Sequence, residues 1–445
     1  MTQETLTSQE VNFPDSQDTL SAKQGSVSLE SDMENLTKMP RQPAAVGIYL
    51  SSAGLSMLGN SIAGIVWPWL VLERTGSPSA AGFVAAAIAI PSLVFAYFGG
   101  NLIDTFGRKP MSIISDIISG LSVVSVILVD MIFGLNMTWF VIIGILGAVG
   151  DIPGMSARAA LVGDISESSG KSVAQISGFN QALSGISFLV GPALAGVLMA
   201  SLPIEQVLWI TALCSLLAAF LTSFLRVSPI SKSEDAHENA KYEGFAGWKL
   251  AFSYPIVRLL ALDSFLAMAL VMPYLMVLLP ARFQETTNPG LYGAAMSAFA
   301  IGMMITSIIA GKIVTRPKWA WALGMAFYTS GFFFMGMLEN QWLVIAGMGV
   351  SGLGGGIMNP LQMVLVTEGV PEQVRGRTFS IFMAISQIAS PIGLVITSFG
   401  LAYITIYQTA WILAVIWAVF AIYLVLRGFQ LLPNKTEEAK NLETV

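Results

Sequence analysis

Apolar and polar residues are segregated into long blocks along this chain. Apolar stretches run roughly 45–72, 78–100, 111–133, 138–160, 174–200, 205–226, 256–280, 290–314, 319–338, 342–366, 378–402 and 407–427. At about 1.5 Å per helical residue, each is long enough to cross a hydrocarbon layer about 30 Å thick. Transmembrane barrel strands would instead give alternating segments of roughly ten residues. The pattern predicts an all-α polytopic membrane protein with twelve spans.

The longest internal polar segment, Arg226 to Tyr254, divides the spans six and six. The expected organisation is a disordered polar tail over 1–42, a six-helix bundle over 43–226, a central loop over 227–254, a second bundle over 255–428 and a tail over 429–445. The tail composition, acidic and poor in aromatics, suits disorder. No apolar stretch with a cleavage site opens the chain, so the first span is expected to act as an uncleaved insertion signal.

The halves resemble each other weakly. Leu161/Leu365, Val162/Val366 and Asp164/Glu368 share an offset of 204, and Gln181/Gln387 and Ser184/Ser390 share 206. Two related bundles predict a transporter built from repeats, with its substrate site between them at mid-membrane.

Charge sets the orientation. Of the 22 lysines and arginines, only Arg74 and Arg282 fall on one side when the N-terminus is taken as cytoplasmic. Basic residues concentrate on the cytoplasmic side of membrane proteins, so both termini are expected in the cytoplasm of a multi-pass cell-membrane protein. Charged residues make up only 11% of the chain, and its net charge of −5 gives no reason to expect nucleic acid as a partner. One cysteine, Cys214, and one histidine, His237, leave no disulfide, His/Cys metal site or Ser-His-Asp triad in the membrane. Gly352 to Gly356 lies inside an apolar span with no following Lys-Ser/Thr, so it reads as helix packing rather than a nucleotide loop. No cofactor, metal or enzyme activity is expected. The expected partners are a small-molecule substrate and the bilayer, and the expected state is a monomer.

Ionisable groups inside the spans are the candidates for coupling, because an unpaired charge there is costly. Asp151 lies deep in the fourth span, with Arg158 seven residues on along nearly the same face. Asp263 lies in the seventh span, Asp116 in the third, and Asp130 near the outer end of the third. With no histidine in the spans, a carboxylate is the expected proton carrier: Asp151 first, then Asp263 and Asp116. Each could instead be a structural ion pair or a head-group contact. Asn60, Trp67, Asn180, Gln181, Tyr274, Asn359, Gln362 and Gln387 are polar or aromatic at depth and are candidates for the cavity wall. Interhelical hydrogen bonding is the competing role for each.

The joint between the second and third spans, Gly99 to Pro110, packs an acid, two bases and three glycines into a short polar stretch. Its spacing, with Gly100, Leu102, Asp104, Gly107, Arg108 and Lys109, resembles the cytoplasmic loop signature of the major facilitator superfamily. Gly107 permits a positive-φ turn. Asp104 can cap a helix or pair with Arg108, and the cluster, joined by Asp164, Glu368 and by position Arg158, is expected to latch the halves at the cytoplasmic side. The second half echoes it with Gly311, Lys312 and Arg316 but without an acid. Pro68 to Pro78 and Pro371 to Arg377 are similar to the macrolide-efflux and enterobactin-exporter branch of that superfamily. Gly191, Pro192 and Gly196 resemble the fifth-helix signature of its antiporters, with Ala195 in place of one glycine.

The resemblance implies the major facilitator fold, two pseudo-symmetric six-helix bundles. It also implies proton-driven export of a hydrophobic or amphipathic small molecule, such as a drug, macrolide or siderophore, by alternating access. An uncoupled facilitator or a metabolite importer are the alternative transporters. A membrane sensor or scaffold is the alternative without transport.

Overall fold

The computed structural model describes residues 42–226 and 245–432, excepting the side chains of 96–101, 104, 245–248, 372 and 373. The described residues form helices joined by short turns, with no strand among them. Six long helices precede residue 227: α1 (Ala45–Thr75), α2 (Pro78–Phe106), α3 (Arg108–Phe133), α4 (Met137–Ser169), α5 (Val173–Ser201) and α6 (Ile204–Ser223). After the short α7 (Phe245–Ser253) come α8 (Pro255–Glu285), α9 (Pro289–Ile313), α10 (Pro317–Gly336), α11 (Gln341–Gly369), α12 (Glu372–Gly400) and α13 (Ile406–Leu431).

Eleven of the described helices are long and apolar enough to cross a membrane. The remaining long one, α10, has 20 residues, but its glycines, serine and tyrosine dilute its apolar content. Those small residues are what it packs with: a Cβ at Gly347 of α11 would lie 2.8 Å from the Gly331 carbonyl oxygen. Small residues let membrane helices approach closely where the hydrophobic effect gives no preference between a helix and lipid. The glycine run in α11 works the same way. Gly352 and Gly356 lie against α9, and Gly354 lies against α10.

Several helices outlast the apolar stretches that announce them. Helix α4 continues to Ser169 and α11 to Gly369. Most of the polar joint after the second span is itself helix, because α2 runs to Phe106 and α3 starts at Arg108. Hydropathy marks where lipid ends, whereas a helix ends where its backbone hydrogen bonds do. The turn is Gly107 alone, at φ 88°, a conformation that a side chain disfavours. The central segment ends in α7, which Ala251, fully buried, and the partly buried Phe252 fix to the core.

The start of α1 and the end of α13 share one face, here the terminal face. Gln42 binds the Phe224 carbonyl through its side chain and the Ser168 carbonyl through its backbone, so the start of α1 meets the ends of α4 and α6. In the second half, Trp321 near the start of α10 donates to the Leu424 carbonyl near the end of α13, at 3.0 Å. The two halves touch through α2 with α12 and α5 with α9.

Candidate functional site

The site begins with small residues on α3 and α4. Ser115 Oγ donates to the Gly150 carbonyl at 2.5 Å. A Cβ at Gly150 would lie 2.9 Å from the Ser115 carbonyl oxygen, and one at Gly154 would lie 2.6 Å from Ser115 Cβ. The two backbones are therefore nearly in contact, which brings Asp116 of α3 opposite Arg158 of α4.

Those two side chains form a buried ion pair. Arg158 Nη2 lies 2.6 Å from Asp116 Oδ2, with side-chain exposures of 8% and 6%. Helix α1 completes the shell. Ser56 Oγ donates to Asp116 Oδ1 at 2.9 Å, and Arg158 Nη1 donates to the Ser52 carbonyl at 3.2 Å. Tyr49 donates its hydroxyl to the Arg158 carbonyl at 3.1 Å and reaches Asn180 Oδ1 of α5 at 3.4 Å. Two ions removed from water hold together only when geometry and hydrogen bonds satisfy both, as here.

Asp151 sits differently. Its carboxyl faces the side chains of Ser119 and Asn60, a hydroxyl and an amide. Arg158, the base on the same helix, commits its two Nη atoms to Asp116 and Ser52. Asp151 therefore has polar neighbours without a cation of its own.

All three charged groups border a cavity of about 550 Å³ between the halves. Its polar wall includes Asn60, Asn180 and Gln181. Its apolar wall includes Phe188, Met57 and Met155 from the first half, and Met276 and Met296 from the second. Met155 lines the cavity and is 71% exposed, and Gln181 is also exposed, so the cavity is open.

Beyond the cavity, away from the terminal face, the halves close on each other. Ser79 donates to the Ser398 carbonyl at 2.7 Å and Ser297 to the Leu189 carbonyl at 3.1 Å. Trp69 stacks on Tyr292 with ring centroids 6.1 Å apart. The fifth-helix motif belongs to this seal. A Cβ at Gly196 would lie 2.9 Å from the Pro289 carbonyl and 3.0 Å from Gly293 Cα. Gly191 lies against Ser61 of α1, and Pro192 borders the cavity.

At the terminal face, Arg108 pairs with Asp164 at 2.6 Å. Lys109 Nζ donates to the Ser223 and Leu225 carbonyls at 2.8 and 2.7 Å, where a cation complements the end of a helix. These contacts tie the start of α3 to the ends of α4 and α6, all within one half. The side chains of Gly100 and Asp104 lie outside the described residues.

Some expectations change. Arg158 does not join Arg108 and Lys109; it is held by Asp116, deeper along α4. Of the eight cavity candidates, Asn60, Asn180 and Gln181 line the cavity. Tyr274 does not: it is 1% exposed and donates its hydroxyl to the Met335 carbonyl at 2.9 Å. It opens a π-helical turn, Tyr274–Leu278, directly after Pro273. Trp67 packs edge-on against Phe140 at 5.7 Å, outside the cavity wall. Gln362 donates to Ser264 Oγ at 3.0 Å instead of facing the cavity. Asn359 and Gln387 are exposed on α11 and α12. Asp130 pairs with Arg74 at 2.6 Å, in an outer cluster that includes Glu205 at 3.7 Å. Tyr49, Ser52, Ser56 and Ser119 were not singled out from the sequence. The first three recur at helical spacing on one side of α1, and Asn60 continues the row.

The Major Facilitator Superfamily family profile matches residues 49–287 and 264–444. The multidrug efflux pump Tap of Mycolicibacterium fortuitum is 28% identical over 355 residues, covering 76% of this chain and 84% of that protein. The macrolide efflux protein A of Streptococcus pyogenes is 22% identical over 356 residues, 77% of this chain and 86% of that protein. The crystal structure of the nucleoside transporter NupG superposes with a TM-score of 0.69 at 15% identity, over 86% of this chain and 98% of that one. Two helical bundles around a central cavity and a family match over most of the length lead to one conclusion: the chain is a secondary transporter of the Major Facilitator Superfamily.

Proposed function

We propose that the chain is a proton-coupled exporter of a hydrophobic or amphipathic small molecule, with its terminal face in the cytoplasm. The observation that carries this reading is the pair of acids bordering one cavity, Asp116 matched by Arg158 and Asp151 without a matching base. An unpaired carboxylate in a membrane cavity is costly, and either a proton or a cation neutralises it. In the exchange, Asp151 takes a proton when the cavity faces outward and gives it up when the cavity faces the cytoplasm. The substrate then binds among the methionines, Phe188 and the amides. Methionine side chains adapt to varied apolar shapes, which suits a broad substrate range. The relatives, a multidrug efflux pump and a macrolide efflux protein, support export. The seal around Gly196 and Gly293, where α5 meets α9, is the element that opens when the cavity turns outward. The transporter acts as a monomer in the cell membrane, its basic helix ends on the cytoplasmic side.

The test is flux of erythromycin in proteoliposomes with an imposed pH gradient. Collapsing the gradient with an ionophore abolishes uphill flux in the wild type, and Asp151→Asn retains only exchange that ignores the gradient. Unchanged uphill flux after collapse would defeat proton coupling, and intact coupled flux in Asp151→Asn would remove Asp151 from the role.

A further inference from the structure

The face opposite the termini, here the far face, carries another, smaller cavity on the second half. It measures about 250 Å³ and lies between the end of α10, the loop into α11 and the start of α13. A drug-sized ligand fills roughly 300–1,000 Å³, so the space suits a head group rather than a drug. Its wall is made by Glu339 and Asn340 of the loop and by Tyr407 and Trp411 of α13. The indole of Trp411 is held in place: a Cβ at Gly336 would lie 3.2 Å from it, and Phe333 meets it edge-on at 5.5 Å.

Glu339 carries the one formal charge among the described residues that line this cavity. Its backbone is pinned while its side chain is not. Arg282, near the end of α8, donates Nε to the Leu338 carbonyl and Nη2 to the Glu339 carbonyl, both at 2.6 Å. Its Nη1 stands 4.0 Å from Glu285, which accepts the Tyr407 hydroxyl at 2.6 Å. The guanidinium is thus spent on two carbonyls and on Glu285. The Glu339 carboxylate has no ion-pair partner among the described residues, yet its charge reaches the Tyr407 hydroxyl. Asn340 uses Oδ1 to cap the N–H groups of Trp342 and Leu343, which leaves its amide nitrogen to donate. A free carboxylate beside aromatic rings is complementary to an ammonium, and an amide N–H to a phosphate.

Two further observations point to lipid as the source of such a group. From Trp411 toward the terminal face, α13 exposes an apolar stripe at helical spacing: Val415, Val419, Ile422 and Leu426. That stripe gives acyl chains a track that ends at the cavity. Trp342 and Tyr403, both exposed at the same end of the bundle, mark the level where tryptophan and tyrosine meet the head groups.

We propose that this cavity binds the head group of a zwitterionic phospholipid from the leaflet at the far face. The ammonium sits on Glu339 and the rings of Tyr407 and Trp411, the phosphate on the Asn340 amide, and the chains along α13. The site shares no lining residue with the large cavity between the halves.

Lipid titrations of the full-length protein in detergent, read by native mass spectrometry, test it. The probes are dioleoyl phosphatidylethanolamine and dioleoyl phosphatidylglycerol, which share phosphate and chains, the first alone carrying an ammonium. The wild type should prefer the ethanolamine lipid. Glu339→Gln, at an exposed side chain without a protein partner, should weaken that lipid about tenfold, the loss of one charge-assisted hydrogen bond. It should not weaken the glycerol lipid, and Glu339→Lys should reverse the preference. Equal affinity for the ethanolamine lipid in wild type and Glu339→Gln overturns the proposal, as does a wild type that prefers neither lipid. Glycerophosphoethanolamine, the same head group without chains, should not displace the lipid at equal concentration. Displacement there would make the site one for a soluble zwitterion and overturn the lipid assignment.

Discussion

The two halves solve the same problem, an acid inside a membrane helix bundle, in opposite ways. In the first half Asp116 is matched by Arg158, a serine hydroxyl and a tyrosine that fixes the arginine's own backbone. In the second half Gln362 is engaged with Ser264, and Asp263 Oδ1 has no partner among the described residues. In a matched pair each charge is satisfied by the other. An unmatched acid holds a proton or costs energy. Asp151 combines both situations, lying within reach of the matched Asp116 and Arg158 while its hydrogen bonds come from a hydroxyl and an amide, Ser119 and Asn60. The lesson is that the number of acids matters less than the whereabouts of Arg158, the one buried arginine among the described residues.

Removing that arginine has the largest expected effect. Arg158→Gln leaves Asp116 buried without its counter-ion, and breaking such a pair costs about 3–5 kcal/mol. A large drop in melting temperature in detergent, together with loss of transport, is the expected result. Asp116→Asn in the Arg158→Gln background should recover much of the stability, since no bare charge remains. Failure to recover would mean that the pair is not the source of the cost.

Next comes the seal between the halves. Gly196→Leu forces a side chain into the space where α5 meets α9, against Gly293. Overpacking of this kind costs about 1–3 kcal/mol, charged entirely to the closed side of the equilibrium. The ratio of closed to open states should fall by about tenfold for each 1.4 kcal/mol of that penalty, and cysteine crosslinking between α2 and α12, at positions 79 and 398, should fall with it. Crosslinking at the wild-type level would show that the contact is not part of the gate.

The smallest effect is expected at the terminal face. Arg108→Gln removes an ion pair whose arginine is 41% exposed. Exposed pairs contribute about 0–1 kcal/mol, so melting should barely move. Transport should slow only through the balance between the two states, with erythromycin affinity unchanged. A tenfold loss of affinity in Arg108→Gln would place this pair in the binding site instead.

Much of this architecture was legible in the sequence. Apolar blocks gave the helices, the offset of 204 gave the repeat, and Gly107 marked a turn that the structure makes at φ 88°. Asn60, Asn180 and Gln181 were recognisable as polar residues inside apolar spans, and they line the cavity. Pairing was harder to read. Arg158 follows Asp151 on one helix face, yet its partner is Asp116, 42 residues earlier on α3. Which of two nearby acids captures a guanidinium depends on how closely α3 and α4 approach. That distance is set by Ser115, Gly150 and Gly154, not by the charges. Tyr274 was misplaced for a related reason: its π-helical turn reorients the side chain toward Met335. The helix extensions past the membrane edge were hidden because hydropathy carries no signal once lipid ends.

In the proposed mechanism, the charge of Asp151 biases the balance between the two cavity orientations. Spin labels at positions 77 and 401, on the loops after α1 and α12, report the separation of the halves at the face opposite the termini. Double electron–electron resonance without substrate should show the long-distance population of the wild type changing as pH is lowered. In Asp151→Asn that population should stay fixed across the same range. An identical pH response in the two proteins would contradict the claim.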